Sequence, residues 1–348
     1  MRKHFRVPAV LLAATMLAAC GSDDDGGGGG GGGDGEGLSL DQVRLAIDGD
    51  DYMNQLAWMV ADESYWPDLG FTEPAEVFAT DEYIAGLAGG DVWVAQGEAD
   101  VIWSALAEGS IPMTIIGVEK DSEAYFLGIR EGVDPNNLEG LKVSGGAAGD
   151  RNITVAEEML DGLGVDPESM EWVQIEGGSD DRLQAMLAGQ IDVAALQPRH
   201  VLPLEEAGGQ MIVQEYNRVP QEVWVVTEET MENNRDAVCA YLEGRIAAKQ
   251  WISEGENYDD NQDAAVAIAE ERGETPSEGD LDEWQIEMEQ NWALTGGAPE
   301  DSFDEWNEGM IAAGNVPEGF EWREHADFSC LTEAQENLGL EVEPGNLD

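Results

Sequence analysis

The segment of this 348-residue chain best suited to binding chemistry is a glycine-rich loop at 145–152, which follows a strand pattern and opens a helical pattern. Free backbone N–H groups at a helix N-terminus bind an anion without a charged side chain. Arg151 adds a guanidinium that can hold a sulfonate, carboxylate or phosphate through two hydrogen bonds. Against this, Asp150 would repel an anion, and such turns also occur for purely structural reasons. The candidate ligand contacts of this loop are Gly146, Ala147, Arg151 and Asn152.

Residues directly after other predicted strands form a second set of candidates. A ligand cleft needs a few polar groups on rigid supports, together with an apolar or aromatic wall. Each candidate also has a structural alternative: helix N-capping for the aspartates, core packing for the first tryptophan and a surface ion pair for the arginine. The set is Asp50, Asp51, Tyr52, Trp103, Ser104, Gln197, Arg199 and Trp224.

No pattern of a catalytic or metal centre accompanies these residues. The sequence has no Gly-x-Ser-x-Gly elbow, no His-Glu-x-x-His and no complete P-loop. His200 and His325 have no cysteine or second histidine at metal-ligand spacing. The sequence therefore argues against a hydrolase or a metalloenzyme, and we expect neither a metal nor a cofactor.

The charge balance excludes several classes of partner. The chain has 74 acidic and 16 basic residues, a net charge of -58 at pH 7. Such a surface repels phosphate backbones and offers no polybasic patch to anionic lipid, so no nucleic-acid partner is expected. Because the acids are scattered along the whole chain, they indicate a protein of a salty environment, where counter-ions screen self-repulsion; ordinary acidic solubility is the alternative.

The N-terminus predicts export and lipid anchoring. Three basic residues precede an apolar run at 7–19, which is too short to span a bilayer and is typical of a signal peptide. The run ends in Leu-Ala-Ala-Cys, which resembles a bacterial lipobox with cleavage before Cys20. We therefore predict a signal peptide at 1–19, a lipidated Cys20 and a flexible Gly/Asp-rich tether at 20–37. A plain signal peptide with a chance cysteine is the alternative.

Two cysteines remain beyond the lipobox, Cys239 and Cys330. In an exported protein such a pair is free to form a disulfide, which would pin the C-terminal segment onto the helix around Cys239. Two buried free thiols are the alternative.

The body of the chain predicts an α/β fold. Apolar strand patterns alternate with helical spacing, which favours a largely parallel sheet. Residues 87–101 resemble residues 187–193, so the two halves are expected to be built alike, and 254–279 is expected to be mostly loop. The predicted strands are 43–48, 75–80, 100–103, 112–118, 125–130, 172–175 and 191–196, and the predicted helices 52–65, 81–88, 153–163, 180–188, 235–252 and 281–292.

Four stretches in a fixed order behind the lipobox carry a family resemblance. They are Gly97-Glu98-Ala99-Asp100-Val101, Leu138-Glu139-Gly140-Leu141-Lys142-Val143, Leu187-Ala188-Gly189-Gln190-Ile191-Asp192-Val193-Ala194-Ala195 and Asn234-Arg235-Asp236-Ala237-Val238. Over roughly residues 40–320, the chain resembles the lipid-anchored substrate-binding proteins of ABC importers for nitrate, sulfonate, taurine and thiamine-pyrimidine precursors.

The resemblance implies a two-lobed fold of the periplasmic-binding-protein type II class, each lobe a mainly parallel sheet flanked by helices. We expect lobe 1 at 38–130 and 225–348, and lobe 2 at 131–224. A ligand bound between the lobes would favour the closed state, which an ABC permease recognises.

The family's ligands are sulfonate- or taurine-like anions, held by backbone amides and arginine, and pyrimidine-like heteroaromatics, held between aromatic rings. Both remain open for this chain. A lipoprotein sensor and a pyrimidine-synthase-like enzyme on the same fold are the alternatives. The cysteine-rich metal motif of that synthase is missing here, which argues against the enzyme.

Overall fold

A computed structural model describes residues 41–47, 52–80, 82–146, 151–175, 178–197, 200–253, 258–274, 288 and 292–344. Within these ranges the side chains at 52–55, 123–124, 151, 214–218 and 258–259 are not described. The predicted signal peptide, Cys20 and the tether lie outside the described residues.

The first part of the body alternates strands and helices as the apolar spacing predicts. Helix α2 ends at Gly90, whose φ of +73° is the left-handed conformation that glycine adopts without a steric penalty. The elements are β1 (Gln42–Ile47), α1 (Tyr52–Ser64), β2 (Glu73–Ala79), α2 (Tyr83–Gly89), β3 (Val94–Glu98) and α3 (Ala99–Glu108).

The middle of the chain repeats this alternation between two long strands, β4 (Met113–Ile129) and β8 (Gln210–Thr227). Between them lie β5 (Lys142–Ser144), α4 (Arg151–Gly162), β6 (Glu171–Trp172), α5 (Ser179–Leu187), β7 (Val193–Leu196) and α6 (Val201–Glu206).

Helices dominate the C-terminal third. Helix α7 (Glu228–Ile252) begins where the Thr227 hydroxyl accepts the Thr230 N–H at 3.1 Å, and it is kinked at Asn234. It is followed by α8 (Tyr258–Glu271), α9 (Glu300–Ala313) and α10 (Ser329–Leu338).

One eight-stranded sheet joins the described strands in the order β2-β1-β3-β8-β4-β7-β5-β6. The strands at each end pair in parallel, whereas β8 is antiparallel to β3 and β4, and β4 is antiparallel to β7. Strands β4 and β8 therefore run through the centre of the sheet and connect its two parallel ends.

The buried apolar residues divide in the same way. One core draws on residues 43–118 and 223–334, from both ends of the body. Two smaller cores draw on residues 125–204, from the middle. The α/β prediction is confirmed, and separate cores lie on either side of the passage made by β4 and β8.

Three element predictions are wrong. Residues 100–103 belong to α3, because Ala99, Ile102, Trp103 and Leu106 are buried at helical spacing. The strands predicted at 112–118 and 125–130 are one strand, β4, whose polar middle finds partners inside the protein. Residues 258–271, expected to be loop, form α8.

The similarity predicted between residues 87–101 and 187–193 is present in the structure, but the elements that correspond are aligned differently from the prediction. Helices α2 and α5 are followed by a left-handed glycine, Gly90 or Gly189, and then by β3 or β7. Asp192 does precede a strand, whereas Asp100 lies in the first turn of α3. Strand β3 is thus the counterpart of β7.

Cys239 of α7 and Cys330 of α10 form a disulfide with a Cα–Cα distance of 4.5 Å, so the bonded alternative is the one that the structure contains. Their 91-residue separation makes a long covalent loop. The bond attaches the C-terminal helix to the larger core.

Removing this bond in Cys239→Ser/Cys330→Ser should lower the free energy of unfolding by up to about 4–5 kcal/mol, because the unfolded chain regains the entropy of the open loop. Urea titration of the wild type and the variant measures this. Wild type treated with reductant should match the variant, and equal stability of all three samples would contradict the prediction.

The acidic surface should make stability depend on salt. Among the described residues, the buried acidic side chains are Asp62, Glu119 and Glu222, and all three are ion-paired, so the other described acids are at least partly exposed. We expect the melting temperature to rise steeply from about 0.1 to about 1 M NaCl, as the Debye length falls from about 10 to about 3 Å.

Melting followed by circular dichroism at both salt concentrations tests this expectation. At about pH 4.5, where carboxylates begin to protonate, the salt response should be smaller. A melting temperature independent of salt at neutral pH would show that self-repulsion is unimportant.

Candidate ligand-binding cleft

The register of the sheet brings strand ends from both halves to one zone. Strand β3 ends at Glu98, which pairs with Glu222 of β8, and β1 ends at Ile47, which pairs with Gln96. On the other side, Leu196 at the end of β7 pairs with Phe126 of β4. These carboxyl ends therefore point from opposite directions toward the middle of β4 and β8.

The loops that carry most predicted ligand contacts follow these strand ends. Residues 48–51 follow β1, the glycine-rich loop follows β5, and residues 197–199 follow β7. Ligands of open α/β sheets bind outside the carboxyl ends of strands. The zone between these ends is therefore the candidate cleft.

A hydrogen-bond network fixes the end of β7. The Gln197 N–H donates to His200 Nδ1 at 3.1 Å, so His200 carries its ring proton on Nε2, which donates to Asp180 Oδ1 at 3.0 Å. The Ser179 hydroxyl donates to Gln197 Oε1 at 3.0 Å. Because the amide oxygen of Gln197 faces Ser179, its amide nitrogen points away from Ser179 and is a hydrogen-bond donor.

The start of the glycine-rich loop is closely packed. The Gly146 N–H donates to Ser144 Oγ at 3.3 Å, and its carbonyl accepts the Ile175 N–H at 3.3 Å. At Gly145 a Cβ would lie 2.5 Å from the Asn152 carbonyl, so only glycine lets α4 approach this closely.

Six buried polar side chains surround the passage of β4 and β8 on the side of the larger core, and we call them the crossing cluster. They are Gln96, Glu119, Lys120, Glu222, Arg245 and Lys249. Each of these residues, counted with its backbone, is at most 7% exposed. Burying so many charges is costly unless they are paired, and the cluster pairs them.

Glu119 is the centre of the crossing cluster. Its Oε1 lies 3.1 Å from Arg245 Nη2 and 3.1 Å from Lys249 Nζ, with all three side chains fully buried. Lys249 also donates to the Glu119 carbonyl at 2.6 Å. The ammonium lies over the rings of Trp224 and Trp292, 5.0 and 5.4 Å from their centroids.

The pKa values of this region reflect burial. Desolvation lowers the pKa of Lys249 from 10.5 to about 8, although the nearby Glu119 carboxylate acts in the opposite direction. Burial also raises the pKa of Tyr241, which lies edge-to-face against Trp224.

Several predicted contacts cannot be placed. Asp50, Asp51, Ala147 and Arg199 lie outside the described residues. Tyr52 and Arg151 are the first residues of α1 and α4, but their side chains are not described. Asn152 is half-buried in the first turn of α4.

The structure places Trp103 in the core. Its indole is fully buried, donates to Asn307 Oδ1 at 3.2 Å and stacks on Phe303. The neighbouring Ser104 donates to the Asp100 carbonyl within α3 at 2.8 Å. These residues lie in a helix and not after a strand. Trp103 is therefore a core-packing residue, which is the structural alternative to a ligand contact.

Trp224 is also fully buried, in β8. It packs on Gly117 of β4, where a Cβ would lie 2.8 Å from the indole ring. It lies at the passage between the cores, and its indole contacts the protein and not an open cleft.

Sequence reasoning missed the crossing cluster and the Ser179–His200 network. The cluster had one detectable signal: Lys120 and Lys249 are two of only four lysines, and both interrupt apolar patterns. Gln96 lies within β3 and Gln197 directly follows β7, and the internal similarity relates these two strands to each other.

Among the described residues, no group of three or more His, Cys, Asp or Glu is arranged to hold a metal ion. In the same part of the chain, no helix combines the length and the hydropathy needed to cross a membrane.

Comparison with known proteins shows the fold. Neither a protein-family model nor a curated protein matches the sequence. A putative sulfonate ABC transporter periplasmic binding protein, SsuA from Methylobacillus flagellatus KT, matches with a TM-score of 0.64 and 12% identity, over 86% of this chain and 95% of its own. The nitrate-binding protein NrtA from Synechocystis PCC 6803 matches with a TM-score of 0.61 and 15% identity, over 86% and 89%.

The aliphatic sulphonate binding protein SsuA from Escherichia coli matches with a TM-score of 0.59 and 12% identity, over 82% of this chain and 91% of its own. At these identities the comparison establishes architecture. The chain has the α/β periplasmic-binding-protein fold, as predicted, and its structural neighbours include periplasmic sulfonate-binding and nitrate-binding proteins.

The lowered pKa of Lys249 predicts a pH dependence of stability. Between pH 8 and 10.5 the unfolded chain binds one more proton than the folded chain at this residue, so the free energy of unfolding should rise with pH in this window. From about pH 7.5 to about pH 9.5 the expected gain is about 2 kcal/mol.

Urea titrations across this range test the prediction, with Lys249→Met as the comparison. The variant should lack the rise, because its side chain does not titrate. Parallel pH profiles for both proteins would show that Lys249 is not the source. The comparison ends below pH 10, because above that pH a second group affects stability. Tyrosine ionises there in the unfolded chain, whereas Tyr241 resists ionisation in the folded state, and this difference lowers the free energy of unfolding.

Proposed function

We propose that this protein is the extracytoplasmic solute-binding component of an ABC importer. It captures a small organic ligand between two lobes and presents it to the permease. The supporting observation is the arrangement of the sheet, in which carboxyl ends from two separate cores face each other across β4 and β8. The lobes of the proposal are residues 38–130 with 225–348, and residues 131–224.

The ligand class that we favour is a sulfonate- or taurine-like anion. Lobe 2 offers hydrogen-bond donors at the cleft: the amide nitrogen of Gln197, the backbone N–H groups at the start of α4, and Arg151 as its first residue. Proteins of the same fold are named for sulfonate and nitrate. A pyrimidine-like heteroaromatic is the second class, with Tyr52 as the aromatic candidate near residues 48–51.

The N-terminal sequence supports the cellular setting. A signal peptide at 1–19, lipidation at Cys20 and a tether at 20–37 would hold the body at the outer face of the cell membrane, next to its permease. Acyl chains on Cys20 would keep the tethered body close to the transporter.

A thermal-shift screen of residues 38–348 in high salt tests the proposal. The ligands are alkanesulfonates, taurine, nitrate, bicarbonate and pyrimidines. A ligand at about 100 times its dissociation constant should add about 2.7 kcal/mol to the free energy of unfolding. We expect a shift with a sulfonate or taurine that is lost in Arg151→Ala.

The matched control is Arg130→Ala, which removes an arginine that lies away from the cleft. Arg130 follows β4 at the end of the sheet away from the cleft, where its Nε donates to Asp192 Oδ1 at 2.8 Å. This variant should retain the ligand shift. The absence of a shift with every ligand, in folded protein, would contradict the proposal and favour a sensor or an enzyme on this fold.

A further inference from the structure

The pairing of β4 with β8 is irregular only in part of its length. Pairing is regular from Ser122 opposite Arg218 to Leu127 opposite Val213. Near the middle the register shifts between Val118 and Lys120, and again between Lys120 and Ser122. Two further shifts lie nearer the ends, between Ile115 and Gly117 and between Leu127 and Gly128. Lys120 opposite Glu222 is thus an isolated aligned pair between two breaks.

The side chains of this pair are joined by a buried ion pair. Lys120 Nζ lies 2.9 Å from Glu222 Oε1, and the two side chains are 6% and 9% exposed. Gln96 Nε2 donates to the other carboxylate oxygen, Glu222 Oε2, at 2.9 Å. Both oxygens of Glu222 are therefore held, one from β4 and one from β3.

The network continues from this pair into the larger core. Gln96 Oε1 accepts from Arg245 Nη2 at 3.2 Å, and Arg245 also binds Glu119, the residue before Lys120. The Glu119 carbonyl accepts from Lys249 and from the Ala293 N–H at 3.0 Å. Lys120 in turn forms an isolated antiparallel bridge with Trp292, so β4 is fixed to the larger core as far as Lys120.

Motion between the two sides must therefore occur beyond Lys120. The register shift between Lys120 and Ser122, opposite 218–222, is the first place beyond that point where the strands can twist without losing regular pairs. The Lys120–Glu222 pair lies at this place. Sliding or twisting β4 against β8 separates two opposite charges that are shielded from water, which is unfavourable in a medium of low dielectric constant.

We infer that the Lys120–Glu222 ion pair, held by Gln96, is a clamp on the pivot between the lobes. It keeps β4 and β8 in alignment between the two breaks and restricts the range of lobe orientations. The inference rests on the proposed function in one respect: the lobes move in order to enclose a ligand. The clamp acts in the ligand-free protein as well.

The test is the distribution of distances between the lobes without ligand. Spin labels are attached to Val101→Cys in α3 and Leu202→Cys in α6, which are 41% and 44% exposed and belong to different lobes. Residues 38–348 contain no other unpaired cysteine, because Cys239 and Cys330 are bonded. The clamp is removed by Lys120→Met/Glu222→Leu, since apolar replacement of a buried ion pair is often tolerated.

We expect a broader distance distribution in this variant than in the labelled parent. Amide hydrogen exchange at 119–123 and 217–222 should accelerate by about tenfold or more, because the local opening there is no longer opposed by the pair. Exchange in α1 and α7 should be unchanged.

The matched control removes a cross-strand ion pair elsewhere. Arg44 and Glu76 face each other on β1 and β2, 3.2 Å apart, away from the passage. Arg44→Met/Glu76→Leu should leave the distribution as in the parent. An unchanged distribution in the clamp variant, or equal broadening in the control, would overturn the inference.

Glu222→Gln is the second variant if the double replacement does not fold. It keeps a side chain that can accept from Gln96 and removes the charge opposite Lys120, so a smaller broadening is expected, and none would overturn the inference. Because these measurements use no ligand, a failed ligand screen would count against the proposed function and leave the clamp result standing.

Discussion

The buried carboxylate of Glu119 is the interaction on which the arrangement of this protein depends. One side chain and its carbonyl join β4 to α7 through Arg245 and Lys249, and to the segment after 292 through Ala293. Burying an unpaired carboxylate would be strongly unfavourable, so Glu119 can be buried only because the two cations pair with it. The larger core and the passage to the smaller cores are in this way built around one set of paired charges.

Two electrostatic regimes coexist in the molecule. The surface has a large excess of negative charge and depends on counter-ions, whereas the crossing cluster is shielded from solvent and hardly responds to them. Salt should therefore affect the stability of the whole body more than the alignment of β4 and β8. An anionic ligand of the proposed class would have to pass this repulsive surface before it reached the N–H donors of the cleft, so its association rate should increase with ionic strength.

The α/β class could be predicted because the periods of two and 3.6 residues are local properties of the sequence. The continuity of β4 could not be predicted, because residues 119–123 look like a polar interruption of the strand unless their partners are known. Those partners are as distant in the sequence as Arg245 and Lys249. Trp103 was misplaced for a related reason: a short apolar run after Asp100 fits both periods. The candidate loops were predicted from their position after strands, but which of their side chains meet a ligand depends on contacts between distant segments.

The larger core is assembled from both ends of the body, and this has a consequence for how the chain folds. Strands β1, β2 and β3 are made first, but the neighbour that completes their side of the sheet, β8, follows more than a hundred residues after β3. The middle segment, by contrast, has its own contiguous cores and can form them early. A nascent chain therefore carries an unpaired edge of β3 until β8 is complete, and in that interval its high net negative charge opposes association with other chains.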